Sequence, residues 1–427
     1  MLKFQSPTGM HDLFQEDWDC FDKVKKACSN MAGAYGFSRI ETPILEDTAI
    51  YEKGTGLNTD IVEKEMYNLA SRGGDKLTMR PEYTPGIIRA YIQHGLQNQP
   101  KPVKLWHFGP VFRHERPQSG RLRQFHQFGF ESLGVQDAII DAEVIQICYN
   151  ILKDLGLRNL IVEVNCIGDS QCRPYFRKSL LSYLRSRQAS LCSDCKRRLK
   201  KNPLRILDCK EEKCQRVKKG APQLVDHLCK ECHDHFKNLL EFLDEKEMPY
   251  SLNPFLVRGL DYYTKTVFEI YEDTQEGRVI GALCGGGRYD DLVKLLGGKP
   301  TPGCGAAGGV ERITALLKQR GKKTVKERDP DVFLAQVGEI AKKKSLKLFE
   351  DFREAGLRVG EALHRDSLSA QLKMADKLNA KYVLILGQKE AMDEQIIVRE
   401  MKSGNQYVTE LNKVVSDVKK KLRSAKH

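Results

Sequence analysis

Phe112-Arg113-His114-Glu115-Arg116-Pro117-Gln118 closes one apolar run and opens a polar turn, and Arg258-Gly259-Leu260-Asp261-Tyr262-Tyr263 stands far downstream of it. The first stretch decides the architecture. Lys104 to Arg113 and Gln124 to Leu133 both read as strands, and the loop Glu115 to Arg123 between them carries Pro117, Ser119 and Gly120 as turn formers. Strands joined by so short a connection pair antiparallel, because a parallel pair needs a crossover of a dozen or more residues. In the second strand the two-residue period puts Phe125, Gln127, Gly129 and Glu131 on one face and His126, Phe128 and Phe130 on the other. The first of these faces is polar, with room above the glycine for a small ligand.

Outward from the hairpin the chain reads as a large domain over 1–320. Glu16 to Tyr35 predicts an amphipathic helix, with Trp18, Phe21, Val24, Ala27, Cys28 and Met31 recurring at spacings of three and four and Gly36 placed to end it. Phe37 to Ile44 reads as extended and is interrupted by Pro43. Thr78 to Glu82 is a short extended piece before a helix carrying Ile87, Ile88, Tyr91 and Ile92. A strand at Leu160 to Asn165 and a helix at Pro174 to Arg185 lead into a lysine- and cysteine-rich insertion at about 170–250. Beyond it come Val257 to Tyr271, a strand at Val279 to Cys284, a glycine cluster and a helix from Tyr289 to Leu296. The apolar-poor segment 321–329 reads as a linker. In 330–427, strands at Asp331 to Gln336, Leu357 to Ala362, Tyr382 to Leu386 and Gln395 to Arg399 alternate with helices at Lys342 to Ala355 and Leu368 to Leu378, which implies a small α/β domain.

Composition narrows the class of partner. At 427 residues, with 41% hydrophobic and 30% charged side chains, the chain is neither disordered nor fibrous and holds several domains. No apolar run approaches the roughly 18 residues of a membrane span, and the N-terminal residues lack a signal-peptide core, so a cytoplasmic location is expected. The formal charge of +13 favours a polyanion, nucleic acid first. Thirteen cysteines in such a chain point to reduced thiols and metal ligation rather than disulfides. Cys192 with Cys195 and Cys229 with Cys232 form two Cys-x-x-Cys pairs, the donor set expected of a structural zinc with sulfurs at about 2.3 Å. The chain between the pairs must then fold back; His233 and His235 are expected to be solvent-facing or secondary ligands.

Planar, permanently charged guanidinium groups suit sites that bring carboxylate and phosphate together, and Arg113, Arg258 and Arg312 lie in separate motif-like runs. Glu82 and Thr84, two apart, together with Gln127 could converge on an ammonium group. Cys284 to Asp290 and Gly303 to Arg312 are glycine-rich, with backbone that a ligand could approach closely.

Arg80-Pro81-Glu82-Tyr83-Thr84-Pro85, Phe112 to Gln118, Arg123 to Gln127 and Arg258 to Tyr263, in this order, resemble the bacterial histidyl-tRNA synthetases, a class II aminoacyl-tRNA synthetase family. The resemblance spans nearly the whole chain. It implies an α+β fold, with a class II antiparallel sheet flanked by helices and a C-terminal α/β anticodon-binding domain. It implies formation of histidyl-adenylate from ATP and histidine, with Mg2+ on the phosphates, and transfer of histidine to its tRNA. Glu82, Thr84 and Gln127 would hold the α-amino group, Glu131 and Tyr263 would read the imidazole, and Tyr262 and Tyr83 would complete the pocket. Arg113 would bind the α-phosphate, Arg258 would be the catalytic cation, and Glu115, Arg121 and Arg312 would contact ATP. Arg116, Gln118 and Arg123 would meet the tRNA acceptor end. A homodimer is implied, with the first helix and strand at its interface. Tyr83 departs from a glycine common in the family, which would tighten the pocket entrance; Ala306 and Gly308 replace bulkier residues, which would loosen packing under the ATP site. The rival readings are a non-catalytic regulatory subunit of histidine biosynthesis and a synthetase for another amino acid.

Overall fold

The computed structural model describes residues 4–424 apart from 58, 117–119, 275–276, 279–280 and 321–328. It divides into two compact units, Met1–Thr324 and Val325–His427. Nearly all of the expected linker lies outside the described residues.

The first unit is built on a nine-stranded sheet, and alternation along its hairpin sets the two faces. Val103–Phe112 pairs antiparallel with Gln124–Leu133, Leu105 opposite Glu131 and Gly109 opposite Gln127. Trp106, Phe108, Phe128 and Phe130 therefore point to one side, where they pack with Phe21, Val24, Ile145, Leu239 and Ile313 from the helices Gln15–Tyr35, Ala138–Asp154, Lys230–Glu245 and Val310–Gln319. Burying those aromatic rings is worth about 2 to 3 kcal/mol each, which makes the register costly to slip. The opposite face carries Gln127 and Glu131. From the edge the strand order is Ser38–Arg39, Val103–Phe112, Gln124–Leu133, Gly303–Gly309, Cys284–Arg288, Thr264–Thr274, Leu160–Cys166 and Tyr250–Leu252, with Gly277–Arg278 pairing on Thr264–Thr274. The outermost pair at each end of this path is parallel and the pairs between are antiparallel.

The first helix runs Gln15–Tyr35 and ends where Gly36 takes φ 73°, a left-handed turn that glycine adopts without strain. The extended stretch expected over Phe37 to Ile44 divides around Pro43. Ser38–Arg39 joins the edge of the large sheet, and Leu45–Asp47 begins a separate sheet with Lys76–Met79 and Tyr67–Ala70. The glycine cluster is itself two strands, Cys284–Arg288 and Gly303–Gly309; of the strand expected over Val279 to Cys284, residues 279–280 lie outside the described residues. The helix expected from Tyr289 shrinks to Leu292–Leu295, because the Tyr289 N–H still bonds across to the Gly303 carbonyl at 2.7 Å. The cysteine-rich region is helical, with Cys172–Arg185, Ser193–Lys201, Glu212–Lys218 and Lys230–Glu245.

The second unit has a five-stranded sheet in the order Val359–Glu361, Val332–Gln336, Tyr382–Leu386, Gln395–Glu400, Gln406–Glu410. The first three strands are parallel and the last two antiparallel. The sequence reading stops at Arg399, and the structure adds Gln406–Glu410, an edge strand without a buried residue, and the helix Val414–Ser424. Among the described residues no helix is long and apolar enough to cross a membrane.

Candidate active site

Glycines on the open face of the large sheet make seats for side chains. A Cβ on Gly305 would fall on the Glu131 carboxylate, and one on Gly285 would stand 2.5 Å from Arg258 Nη1. Any larger residue at either position would displace the group above it. The seated Arg258 pairs with Glu269, while its Nε is buried without a hydrogen-bond partner among the described residues. Its guanidinium lies 5.8 Å from the centre of the Tyr263 ring. Burial works to lower the pKa of Arg258, but Glu269 outweighs it and the value is raised, so the cation is secure.

Beside this seat lies a buried cluster of carboxylates and hydroxyls. Glu82 accepts from Thr55 Oγ1 and from the Tyr262 hydroxyl, both at 2.7 Å, and Glu131 accepts from Thr84 Oγ1 at 2.7 Å and from the Tyr289 hydroxyl. Thr84 belongs to the first turn of the helix Thr84–Gln93, not to a strand, yet it reaches the same cluster as Glu82. Glu131 is 1% exposed; burial, reinforced by the charge of Glu82, raises its pKa to about 7 against the hydrogen bonds from Tyr289 and Thr84. Burial likewise raises Glu82, and the Tyr263 hydroxyl is pushed up to about 12. Two acidic groups, one of them poised near neutrality, and three neutral phenols can hold a small zwitterion whose side chain also carries a titrating proton.

Tyr83 does not join them. Its ring stacks 3.8 Å from His107, its hydroxyl donates to Glu41 at 2.9 Å, and Arg80 lies over its other face at 3.9 Å. Where the sequence places Tyr83 at the pocket entrance, the structure makes it a buried prop, because Gly109 leaves the space its hydroxyl occupies. Gly308 is likewise tight rather than loose, since a Cβ there would strike the Phe128 ring.

Alongside opens a cavity of about 580 Å³ whose lining includes Gln127, Arg113, Arg121, Arg258 and Arg312. Arg113 donates from Nε to the Pro81 carbonyl at 2.8 Å and lies 5.5 Å from the Phe125 ring centre. Glu115 receives Arg121 at 3.0 Å and stands 3.9 Å from Arg113. Arg312 donates to the carbonyls of Ala282 and Gly120. Burial and then repulsion from the Arg121 guanidinium lower its pKa. Arg123 bonds the Glu115 carbonyl at 3.2 Å and Arg116 is exposed; Gln118 lies outside the described residues. Glu311 accepts from the backbone N–H of His126 at 2.8 Å and bonds its ring at 2.9 Å, clamping the start of the helix that carries Arg312.

A family model described as "Histidyl-tRNA synthetase" matches residues 9–313, and one described as "Anticodon binding domain" matches residues 331–421. The chain belongs to the histidyl-tRNA synthetase family. It is similar to a protein of Dehalococcoides mccartyi named histidine–tRNA ligase, 44% identical over 98% of this chain and 100% of that one. A relative of the same name from Desulfitobacterium hafniense is 44% identical over 95% of both chains. The crystal structure of apo S. aureus histidyl-tRNA synthetase is 31% identical, covers 97% of this chain and 100% of its own, and gives a TM-score of 0.78. The large sheet with its flanking helices thus has the class II synthetase fold, followed by an anticodon-binding domain.

Within this member of the histidyl-tRNA synthetase family the two Cys-x-x-Cys pairs part company. Cys192 and Cys195 group with Cys209 and Cys214, whereas Cys229 and Cys232 group with Cys172 and Asp169. The expected quartet of Cys192, Cys195, Cys229 and Cys232 is therefore corrected: the first pair is completed by Cys209 and Cys214 downstream of it, and the second by residues upstream of the first pair. His235 is buried against Asp141 at 2.7 Å and His233 is exposed, so neither is a ligand of these groups. Sequence reasoning also missed Thr55, Glu269 and Tyr289, which bond Glu82, Arg258 and Glu131. Only Glu269 left a local signal: in Thr264–Thr274 it falls between Phe268 and Ile270, both of which face the helices, so alternation turns it to the open face.

Proposed function

We propose that the chain is a histidine–tRNA ligase. The histidine carboxylate attacks the α-phosphorus of ATP, forming histidyl-adenylate and releasing pyrophosphate; the terminal ribose hydroxyl of the tRNA then attacks the adenylate carbonyl and AMP leaves. The observation that carries this reading is the juxtaposition of an arginine-lined cavity with a buried cluster of carboxylates and phenols, bridged by Arg258, whose Nε has no partner among the described residues. Arg113 and Arg258 would hold the α-phosphate as charge builds on it, which preorganised guanidinium groups do without reorganisation. Arg121 and Arg312 would take the outer phosphates, and Glu115 would orient Arg113 and Arg121. Glu82, Thr84 and Gln127 would bind the α-ammonium group. Glu131 and Tyr263 would read the imidazole, and a carboxyl titrating near 7 can share one proton with a ring whose free value is about 6.5. Tyr262 would hold Glu82 in place, and Tyr83 is withdrawn from the substrate contacts.

Mg2+ would arrive on the nucleotide. Of the carboxylates that line the cavity, Glu115, Glu311 and Glu269 already serve Arg121, His126 and Arg258, and the nucleotide's own phosphates would supply most of the negative charge that binds the cation. Arg116, Gln118 and Arg123 would approach the tRNA acceptor end, and the second unit its anticodon. A homodimer fits the exposure of Phe14, Ile44, Leu45 and Leu69 on the first helix's approach and the small sheet, and a cytoplasmic location fits the substrates.

Full-length relatives named histidine–tRNA ligase support this reading over the regulatory subunit. Proline or threonine would leave Glu131 and Tyr263 without an imidazole nitrogen to bond, a mismatch that sites built for hydrogen bonding reject by about 10⁴-fold or more. The test is amino-acid-dependent exchange of pyrophosphate into ATP. Exchange with histidine and not with proline, threonine or glycine is the expected result; a folded chain silent with all four would return the regulatory subunit. Arg258→Ala should lower kcat for exchange while sparing histidine affinity, and an equal loss in both would remove Arg258 from its role.

A further inference from the structure

We propose that Cys192, Cys195, Cys209 and Cys214 form a four-thiolate zinc site that ties the segment between them to the wall of the catalytic cavity. All four side chains are buried, and their sulfurs lie within 4.8 Å of one another. The Cys192 and Cys209 sulfurs are 3.9 Å apart. Four ligands at about 2.3 Å from a tetrahedral zinc stand about 3.8 Å apart, whereas a disulfide needs about 2.05 Å, so the spacing is that of a metal cage. Backbone donors already point at the sulfurs: the Cys195 N–H at Cys192 Sγ, 3.4 Å, and the Cys192 N–H at Cys214 Sγ, 3.2 Å. Such bonds stabilise thiolate charge and orient ligands.

The position of the site gives it a task. Cys192 and Cys209 themselves line the cavity. Between them, Arg198 and Arg205 both pair with Asp60, at 2.9 and 2.8 Å, and Asn202 donates to Asp261 at 2.9 Å, within the run that carries Arg258 and Tyr263. The segment 192–214 has only short helices, and its four thiols are buried beside Leu199, Ile206 and Leu207 in the core that also holds Phe176, Leu180 and Leu184. A metal crosslink would fasten these short helices to one another where they border the cavity. The group of Asp169, Cys172, Cys229 and Cys232 is separate and serves as the internal control.

The test uses the full chain purified without added metal or chelator, with zinc measured by mass spectrometry and, after cobalt exchange, by the absorption of a tetrahedral four-sulfur centre. Cys172→Ser is expected to keep that cobalt spectrum and about one zinc per chain, and Cys209→Ser to lose both. Should Cys209→Ser fail to fold, zinc-edge X-ray absorption of the Cys172→Ser chain decides, with four sulfurs at about 2.3 Å expected. A folded wild-type chain without zinc, an unchanged cobalt spectrum in Cys209→Ser, or nitrogen or oxygen ligands at the zinc edge would each overturn the proposal. None of these readouts depends on aminoacylation.

Discussion

Replacing Gly285 by alanine should injure catalysis while leaving the fold nearly untouched. The added methyl would stand 2.5 Å from Arg258 Nη1, 2.9 Å from Cζ and 3.0 Å from Nη2, where ordinary contact begins at 3.4 Å. The guanidinium must therefore retreat by about 1 Å. It is the free end of a flexible side chain, so the stability change should stay within about 1 kcal/mol. The same retreat moves the charge proposed to meet the α-phosphate, and a misplacement of that size lowers kcat by about 10²-fold, or about 2.7 kcal/mol of barrier. Histidine-dependent pyrophosphate exchange reads kcat, and thermal unfolding checks the fold. The double variant Gly285→Ala with Arg258→Ala should be no slower than Arg258→Ala alone, because the methyl then has nothing to displace. Exchange at the wild-type rate in Gly285→Ala, or losses that multiply in the double variant, would refute both the seat and the role of its occupant.

Glu131→Gln should flatten the pH dependence of stability. Burial raises Glu131 to about 7, so the folded chain keeps a proton that the unfolded chain releases; the stabilisation is complete below about 4.3 and is lost as pH rises through 7, up to about 3–4 kcal/mol. Denaturant midpoints at pH 5 and 7.5 read it, and equal slopes for both proteins would count against the assignment. Asp141→Ala should destabilise the first unit by about 3 kcal/mol, since it takes from the fully buried Arg288 the carboxylate it meets at 2.6 and 3.0 Å and leaves it Asp290 at 3.0 Å as its remaining counter-charge. Burial opposes the charge of Asp141 but Arg288 outweighs it and holds the pKa at about 2, so this stability is present above about 4 and is lost as pH falls toward 2. An unchanged unfolding midpoint would show the pair to be dispensable.

Much of the architecture is legible in local pattern. The two-residue period of Gln124–Leu133 separates Phe128 and Phe130 from Gln127 and Glu131, and the three-and-four spacing ahead of Gly36 marks the first helix, because each depends only on how successive side chains point from one backbone. The runs around Arg113 and Arg258 are equally visible. Partners are another matter. Tyr262 meets Glu82 across 180 residues and Tyr289 meets Glu131 across 158, and no spacing along the chain announces either pair. Both Cys-x-x-Cys pairs are plain in the sequence, yet which thiols complete each group follows from how the short helices between them fold back. The direction of Tyr83 and the extended form of the glycine runs likewise follow from volume: the ring goes where Gly109 leaves space, and Gly285 and Gly305 lie in strands whose missing side chains make room for Arg258 and Glu131. Periodicity is a property of one segment, whereas excluded volume and the pairing of buried polar groups belong to segments brought together by the fold.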